Sequence, residues 1–100
     1  MSQTILLDFL RDKKSGIVFF YSEHCNTCAH QKLLFSKVFS DKDYTMVCCD
    51  DDPDYFIREH GVDLIPVIRI YDNTEVVWEK IDLLSKEDVE FLIDYVALTK

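Results

Sequence analysis

The sequence predicts an α/β fold, a central four-stranded mixed sheet flanked by helices. A short apolar run, Ile17 to Tyr21, has no polar alternation and therefore reads as a strand buried on both faces. Helical spacing follows, and then a second β-rich run, Tyr44 to Cys49. Such a strand–helix–strand unit closes with parallel strands and a right-handed crossover. Two further β-rich segments, Val67 to Tyr71 and Val76 to Ile81, are separated by Asp72-Asn73-Thr74, turn chemistry that makes an antiparallel hairpin.

Composition sets the bounds. The 100 residues suit one domain, 1–100. Apolar residues make up 48% of the chain and it holds only two glycines and two prolines, which builds a packed core and opposes disorder. A formal charge of −8 opposes non-specific binding to nucleic acid or to anionic membrane surfaces. The longest apolar run, Ile17 to Tyr21, is far shorter than the ~20 residues a membrane-spanning helix needs. No basic segment followed by an apolar stretch and a small-residue cleavage site opens the chain, so no signal peptide is expected. The expected compartment is cytoplasmic and reducing, where the four cysteines would not form a static disulfide framework.

Taken in order, Ile5, Leu6, Phe9 and Leu10 draw one apolar stripe on a helix over residues 2–13. Ser2 or Thr4 is its expected cap, and Lys13-Lys14-Ser15-Gly16 its end. After the first strand a helix is expected from about Cys25 to Ser40. Leu34, Phe35, Val38 and Phe39 would be its buried face, with Ala29 and Leu33 beside them and Lys32 and Lys37 exposed. The next strand falls within Asp43–Asp50. Adjacent strand residues point to opposite faces, so Cys48 and Cys49 are expected to be separate small buried hydrophobes and not a reactive pair. Asp51-Asp52-Pro53 opens a short helix with Asp as cap and Pro at its first position, and Gly61 after His60 ends it. Pro66 suits the first residue of the third strand. Ser85-Lys86-Glu87-Asp88 is a capping box, opening a last helix whose Val89, Leu92, Ile93 and Val96 share one face.

The chemistry gathers at Cys25-Asn26-Thr27-Cys28, the junction of the first strand and the helix after it. Free N–H groups and the dipole at a helix start favour negative charge, so the first thiol is expected to lose its proton readily. A thiolate is the nucleophile of disulfide exchange, and a second cysteine three positions on can close the ring. Near a strand–helix–strand pattern in a cytosolic chain, this spacing reads as a redox pair. His24 precedes the nucleophile, where a protonated ring would stabilise a thiolate; the bland alternative is an exposed residue with no role. His30 is expected on the exposed side of the helix, and His60 at a helix C-terminus where the dipole favours its charge. A structural zinc site wants four ligands, often two such pairs; with one pair here, no metal and no other cofactor is expected.

With these landmarks placed, the chain resembles the thioredoxin fold. Cys25-x-x-Cys28 follows the first core strand, and Ile65-Pro66 stands before the hairpin, where thioredoxins carry an Ile–cis-Pro loop beside the disulfide. Asp50-x-x-Pro53 resembles the family's Asp-x-x-Pro after its central strand, and Leu84-Ser85-Lys86 the segment leading into its last helix. The resemblance covers roughly the whole chain, lacking the N-terminal strand; the short glutaredoxin branch is the alternative within it. It implies that Cys25 attacks and Cys28 resolves. It implies a cis Pro66, placing the backbone of Ile65 to hydrogen-bond a substrate chain, with Tyr21, His24, Leu64, Ile65 and the turn near Asp82 around the contact surface. It further implies a monomeric protein-disulfide oxidoreductase, served by a thioredoxin reductase or a glutathione system.

The departures are specific. Thioredoxins have Trp-Cys-Gly-Pro-Cys where this chain has His24-Cys25-Asn26-Thr27-Cys28, so the redox potential is expected to differ. The family's buried acid aligns with Phe19, the lysine that pairs with it aligns with Met46, and the glycine of its substrate loop aligns with Asp82. Losing both halves of a charge pair together leaves no lone buried charge. The alternative function, from another class, is a non-catalytic interaction module that binds one dedicated partner through the surface around the cysteines.

Overall fold

The computed structural model describes residues 2–99, the side chain of Ser2 excepted. Its elements are α1 (Ser2–Asp8, continued by a π-helical turn, Phe9–Lys13), β1 (Gly16–Tyr21), α2 (Asn26–Val38), β2 (Tyr44–Cys48), α3 (Pro53–His60), β3 (Val67–Asp72), β4 (Glu75–Ile81) and α4 (Lys86–Thr99). The four strands form one sheet in the order β2-β1-β3-β4. β1 pairs with β2 in parallel, while β1–β3 and β3–β4 are antiparallel. No helix among the described residues is long and apolar enough to cross a membrane.

β1 has no polar alternation because helices cover both of its faces. Val18 and Phe20 join Val47, Val67, Leu6, Phe9 and Phe56, a core on the side of α1 and α3. Ile17 and Phe19 join Ile68, Ile70, Phe35, Leu92 and Val96 on the side of α2 and α4. Burial of each such side chain contributes about 1.5–3 kcal/mol. The helix boundaries follow local chemistry. Asp52 caps α3 by accepting the Tyr55 N–H at 3.1 Å, Pro53 takes its first position, and Gly61 ends it at φ 66°. Ser85 and Asp88 cap α4 reciprocally: the Ser85 N–H donates to Asp88 at 2.9 Å and the Asp88 N–H to Ser85 Oγ at 3.1 Å.

The registers bring one end of every strand into a single row. Phe20 is paired with Val47 on one side and Val67 on the other, and Val67 with Ile81. Tyr21, Cys48, Pro66 and Asp82 therefore line up along one end of the sheet, and the Asp82 N–H donates to the Pro66 carbonyl at 2.8 Å. The Cys25–Cys28 segment leaves β1 at this end.

Several helix faces differ from the sequence expectation. In α1, Leu6 and Phe9 are buried but Ile5 is exposed, and Thr4 lies inside the helix instead of capping it; a cap by Ser2 lies outside the described side chains. In α2 the buried stripe is Cys28, Gln31 and Phe35, continued by Phe39 beyond its end; Ala29, Leu33 and Val38 are exposed and Leu34 is half-buried. In α4, Leu92 and Val96 are buried, whereas Ile93 is exposed and Val89 half-buried. Each helix touches the sheet along a narrower stripe than its apolar residues would cover. Pro66 stands one residue before β3, and its carbonyl serves the loop after β4.

β3 also carries a buried cation that apolar patterning gave no reason to expect. Arg69 Nε donates to Glu79 at 2.7 Å, Nη1 donates to the Tyr71 hydroxyl at 3.1 Å, and the guanidinium lies 5.4 Å from the Phe20 ring centre. It lies at the carbonyl end of α3, where a Cβ added to Gly61 would stand 3.6 Å from Arg69 Nη2. His60 differs from the expectation of a favoured charge: burial, then the Arg69 charge, lower its proton affinity, and its Nε2 is 3.1 Å from the Tyr55 hydroxyl.

Candidate active site

Cys25 is the N-cap of α2. Its backbone is extended (φ −109°, ψ 115°), and its sulfur accepts the Cys28 N–H at 3.1 Å, as the side-chain oxygen of a serine or aspartate cap would. Its carbonyl accepts the Ala29 N–H at 3.1 Å. The Cys25 sulfur is thus held against the N–H groups of the first turn, which contains no acidic residue. Both thiols are free. Cys25 is half-buried, and Cys28, one turn further on, is 1% exposed. Burial is the main reason that the Cys28 thiol is pushed up to about 12, and its hydrogen bond to Cys25 adds to this. At neutral pH the inner sulfur keeps its proton while the outer one faces solvent.

The turn that presents Cys25 is anchored by Asp50. The Ser22 hydroxyl donates to Asp50 Oδ1, the Glu23 N–H to Oδ2 at 2.9 Å, and the Cys48 thiol to Oδ2 at 3.4 Å. The His24 N–H in turn donates to Ser22 Oγ at 3.1 Å. The Ser22 hydroxyl and then the Glu23 N–H hold the Asp50 carboxyl below the usual carboxylate range, with a smaller contribution from the charge of nearby His24. His24 and His30 are exposed. Cys49 is buried, its thiol pushed up to about 12 by burial, but Cys48 is only half-buried, contrary to expectation. β2 is an edge strand, and its end opens onto the Asp50 turn.

The Ile65–Pro66 peptide bond is cis. Pro66 is buried and Ile65 half-buried, and the Ile65 N–H and C=O take no hydrogen-bond partner among the described residues. Ile65 shares a hollow of about 230 Å³ with Ser22, Cys49, Asp50 and Val62, so the Ile65 loop stands beside the turn that carries the cysteines. Cys25 and Cys28 also line a separate groove of about 410 Å³ along α2, with Tyr21, Lys32 and Leu33. Lys32 Nζ lies 5.7 Å from the Tyr21 ring centre. Neither His24 nor Ile65 reaches that groove.

Sequence reasoning passed over Ser22, the anchoring role of Asp50, and Gln31. The first two depend on the fold: the parallel register that pairs Tyr21 with Cys48 carries Asp50 level with Glu23. Gln31 gave no signal. It is fully buried on the α2 face that holds Cys28, and its amide makes two long contacts of 3.5 Å, Nε2 donating to the Asp82 carbonyl and Oε1 accepting the Leu84 N–H. Asp82 itself adopts φ 75°, a left-handed backbone usual for glycine, and its own Oδ1 accepts the Leu83 N–H at 2.8 Å.

No protein-family model and no curated protein sequence matches the chain. Solved structures do. Thioredoxin f2 of Chlamydomonas reinhardtii superposes with a TM-score of 0.70 at 15% identity, covering 100% of this chain and 94% of that one. The reduced thioredoxin pre-protein of Schistosoma mansoni gives 0.69 at 22% identity, with 91% and 89% covered. The oxidised thioredoxin of Plasmodium falciparum gives 0.67 at 18% identity, with 97% and 95% covered. The chain has a thioredoxin fold, as its element order implied.

Proposed function

We propose that this thioredoxin-fold chain is a thiol-disulfide oxidoreductase acting on protein disulfides through Cys25 and Cys28. The observation that carries the reading is the position of Cys25, half-buried with its sulfur capping α2, with Cys28 buried one turn behind it. The Cys25 thiolate attacks a substrate disulfide. The substrate S–S bond breaks, its leaving sulfur departs as a thiolate and takes up a proton, and a mixed disulfide forms on Cys25. Cys28 then gives up its proton to solvent, and its thiolate attacks the Cys25 sulfur. The second substrate thiol is released and a Cys25–Cys28 disulfide remains. Two electrons have passed to the substrate, and a reductase or glutathione returns them.

The unpaired backbone groups of Ile65, beside the cysteine turn, supply a donor and an acceptor for an extended substrate chain. In this reading buried Pro66, next to Ile65, backs the docking edge, and exposed His24, one residue before Cys25, is its third contact residue. The test uses Cys28→Ser protein with a small disulfide protein such as insulin. A mixed disulfide should accumulate on Cys25, and wild-type protein should turn the substrate over. If Cys25 captures no substrate, the proposal is wrong.

A further inference from the structure

We propose that Asp82 is a specificity-determining residue that selects disulfide-bearing segments with a lysine or arginine beside the reactive cysteine. The inference rests on the oxidoreductase reading above. Three contacts fix this residue at the rim. Its N–H donates to the Pro66 carbonyl at 2.8 Å, its carbonyl accepts from the buried Gln31 amide at 3.5 Å, and its Oδ1 accepts the Leu83 N–H at 2.8 Å. Oδ2 has no partner among the described residues. One carboxylate oxygen is thus tethered and the other left free, on a residue adjoining Pro66 in the strand-end row.

Lys80, two residues before Asp82, pairs with Asp88 at 3.2 Å, and Lys32 lies over the Tyr21 ring. An extended segment docked on the free backbone groups of Ile65 runs alongside Pro66 and so past Asp82. Ile81 and Leu83, the chain neighbours of Asp82, are 46% and 47% exposed, and Leu64, two residues before Pro66, is 64% exposed. They offer an apolar bed for the hydrocarbon stem of a lysine or arginine whose charged head meets Oδ2. The chain's net charge of −8 attracts the same class of segment from a distance, but only a fixed carboxylate can read the position of the charge.

The experiment separates docking from chemistry. Two disulfide peptides differ only in a lysine or a glutamate next to the target cysteine, and a second set carries serine in place of the cysteines. Binding of the serine peptides, followed by NMR titration, decides the proposal. The lysine peptide should bind about fivefold more tightly at low salt, and the preference should shrink toward parity near ~0.5 M salt. Asp82→Asn keeps a residue suited to the left-handed backbone and an oxygen for the Leu83 N–H, and it should remove most of the preference. Glu75→Gln, at the far end of β4, should leave the preference intact. Equal binding of the two peptides, or a preference that survives Asp82→Asn, overturns the proposal. Charge-selective binding without any turnover of the disulfide peptides supports this inference and refutes the oxidoreductase reading instead.

Discussion

Phe19 lies directly opposite Met46 across the parallel β1–β2 pair. The resemblance to thioredoxins aligns these two positions with that family's buried acid and its lysine. Here Phe19 is fully buried, stacked on Phe35 with ring centres 5.3 Å apart and tilted against Tyr21 at 5.6 Å. The space behind the cysteines is a packed aromatic cluster, and nothing ionisable occupies either position.

Restoring the acid alone should therefore fail. Phe19→Asp loses the packing of a buried aromatic ring and places a carboxyl where no cation meets it, at a cost above about 4 kcal/mol at neutral pH. A carboxyl buried without a partner titrates high, so the loss should grow as pH rises and ease in acid. Adding Met46→Lys should recover part of it. Urea unfolding of the two variants across pH checks this; a cost below about 1 kcal/mol for Phe19→Asp alone would contradict the packing described.

The inner thiol sets a second expectation. The Cys28 proton is held to about 12 and no acid at position 19 assists its departure. Decay of the mixed disulfide should quicken about tenfold per pH unit above neutrality, following the Cys28 thiolate fraction. Stability should move the other way. Cys28 and Cys49 both hold their protons more firmly in the fold than in the unfolded chain, where thiols titrate near ~8.5. Their contribution is complete below that value and is lost as pH rises toward about 12. Cys49→Ala should flatten this alkaline loss without abolishing the pH dependence of mixed-disulfide decay; stopped-flow kinetics and alkaline denaturation read the two separately.

Asp50 should matter to rate through the Ser22–Glu23 turn it anchors. Asp50→Ala removes the acceptors for Ser22, Glu23 and Cys48, and kcat/KM for a protein disulfide should fall about tenfold as Cys25 loses its fixed presentation. Asp50→Asn keeps one acceptor oxygen and should lose less. The Asp50 carboxyl titrates below its usual range, so its hold on the turn is present above the unfolded-state value and is lost as pH falls through the lowered one. An unchanged kcat/KM in Asp50→Ala would remove the anchor from the account.

The Arg69–Glu79 pair should respond asymmetrically. Glu79→Ala strands a guanidinium whose side chain is only 7% exposed and should cost about 3 kcal/mol. Arg69→Met leaves no buried charge, and Glu79, with a side chain 36% exposed, reaches water, so that change should cost about 1 kcal/mol or less. Equal losses in denaturant unfolding would contradict the penalty assigned to the unpaired guanidinium.

The sequence alone determined what depends on near neighbours along the chain. Ile17–Tyr21 had to be a buried strand, Asp52-Pro53 and Gly61 had to bracket α3, Ser85 and Asp88 had to cap α4, and Cys25 had to stand at the start of a helix. Each of these rests on residues within a few positions of one another, so propensity and capping chemistry suffice. Only the tertiary structure decided which face of each helix was covered. Gln31 went inside because Asp82 and Leu84, some fifty residues away, offered partners for its amide, while Leu33 and Ile93 stayed outside. Arg69 became a buried cation because Glu79, Tyr71 and the end of α3 converge on it. A helical apolar pattern marks several adjoining faces at once, and the choice among them belongs to the sheet and loops that arrive from elsewhere in the chain.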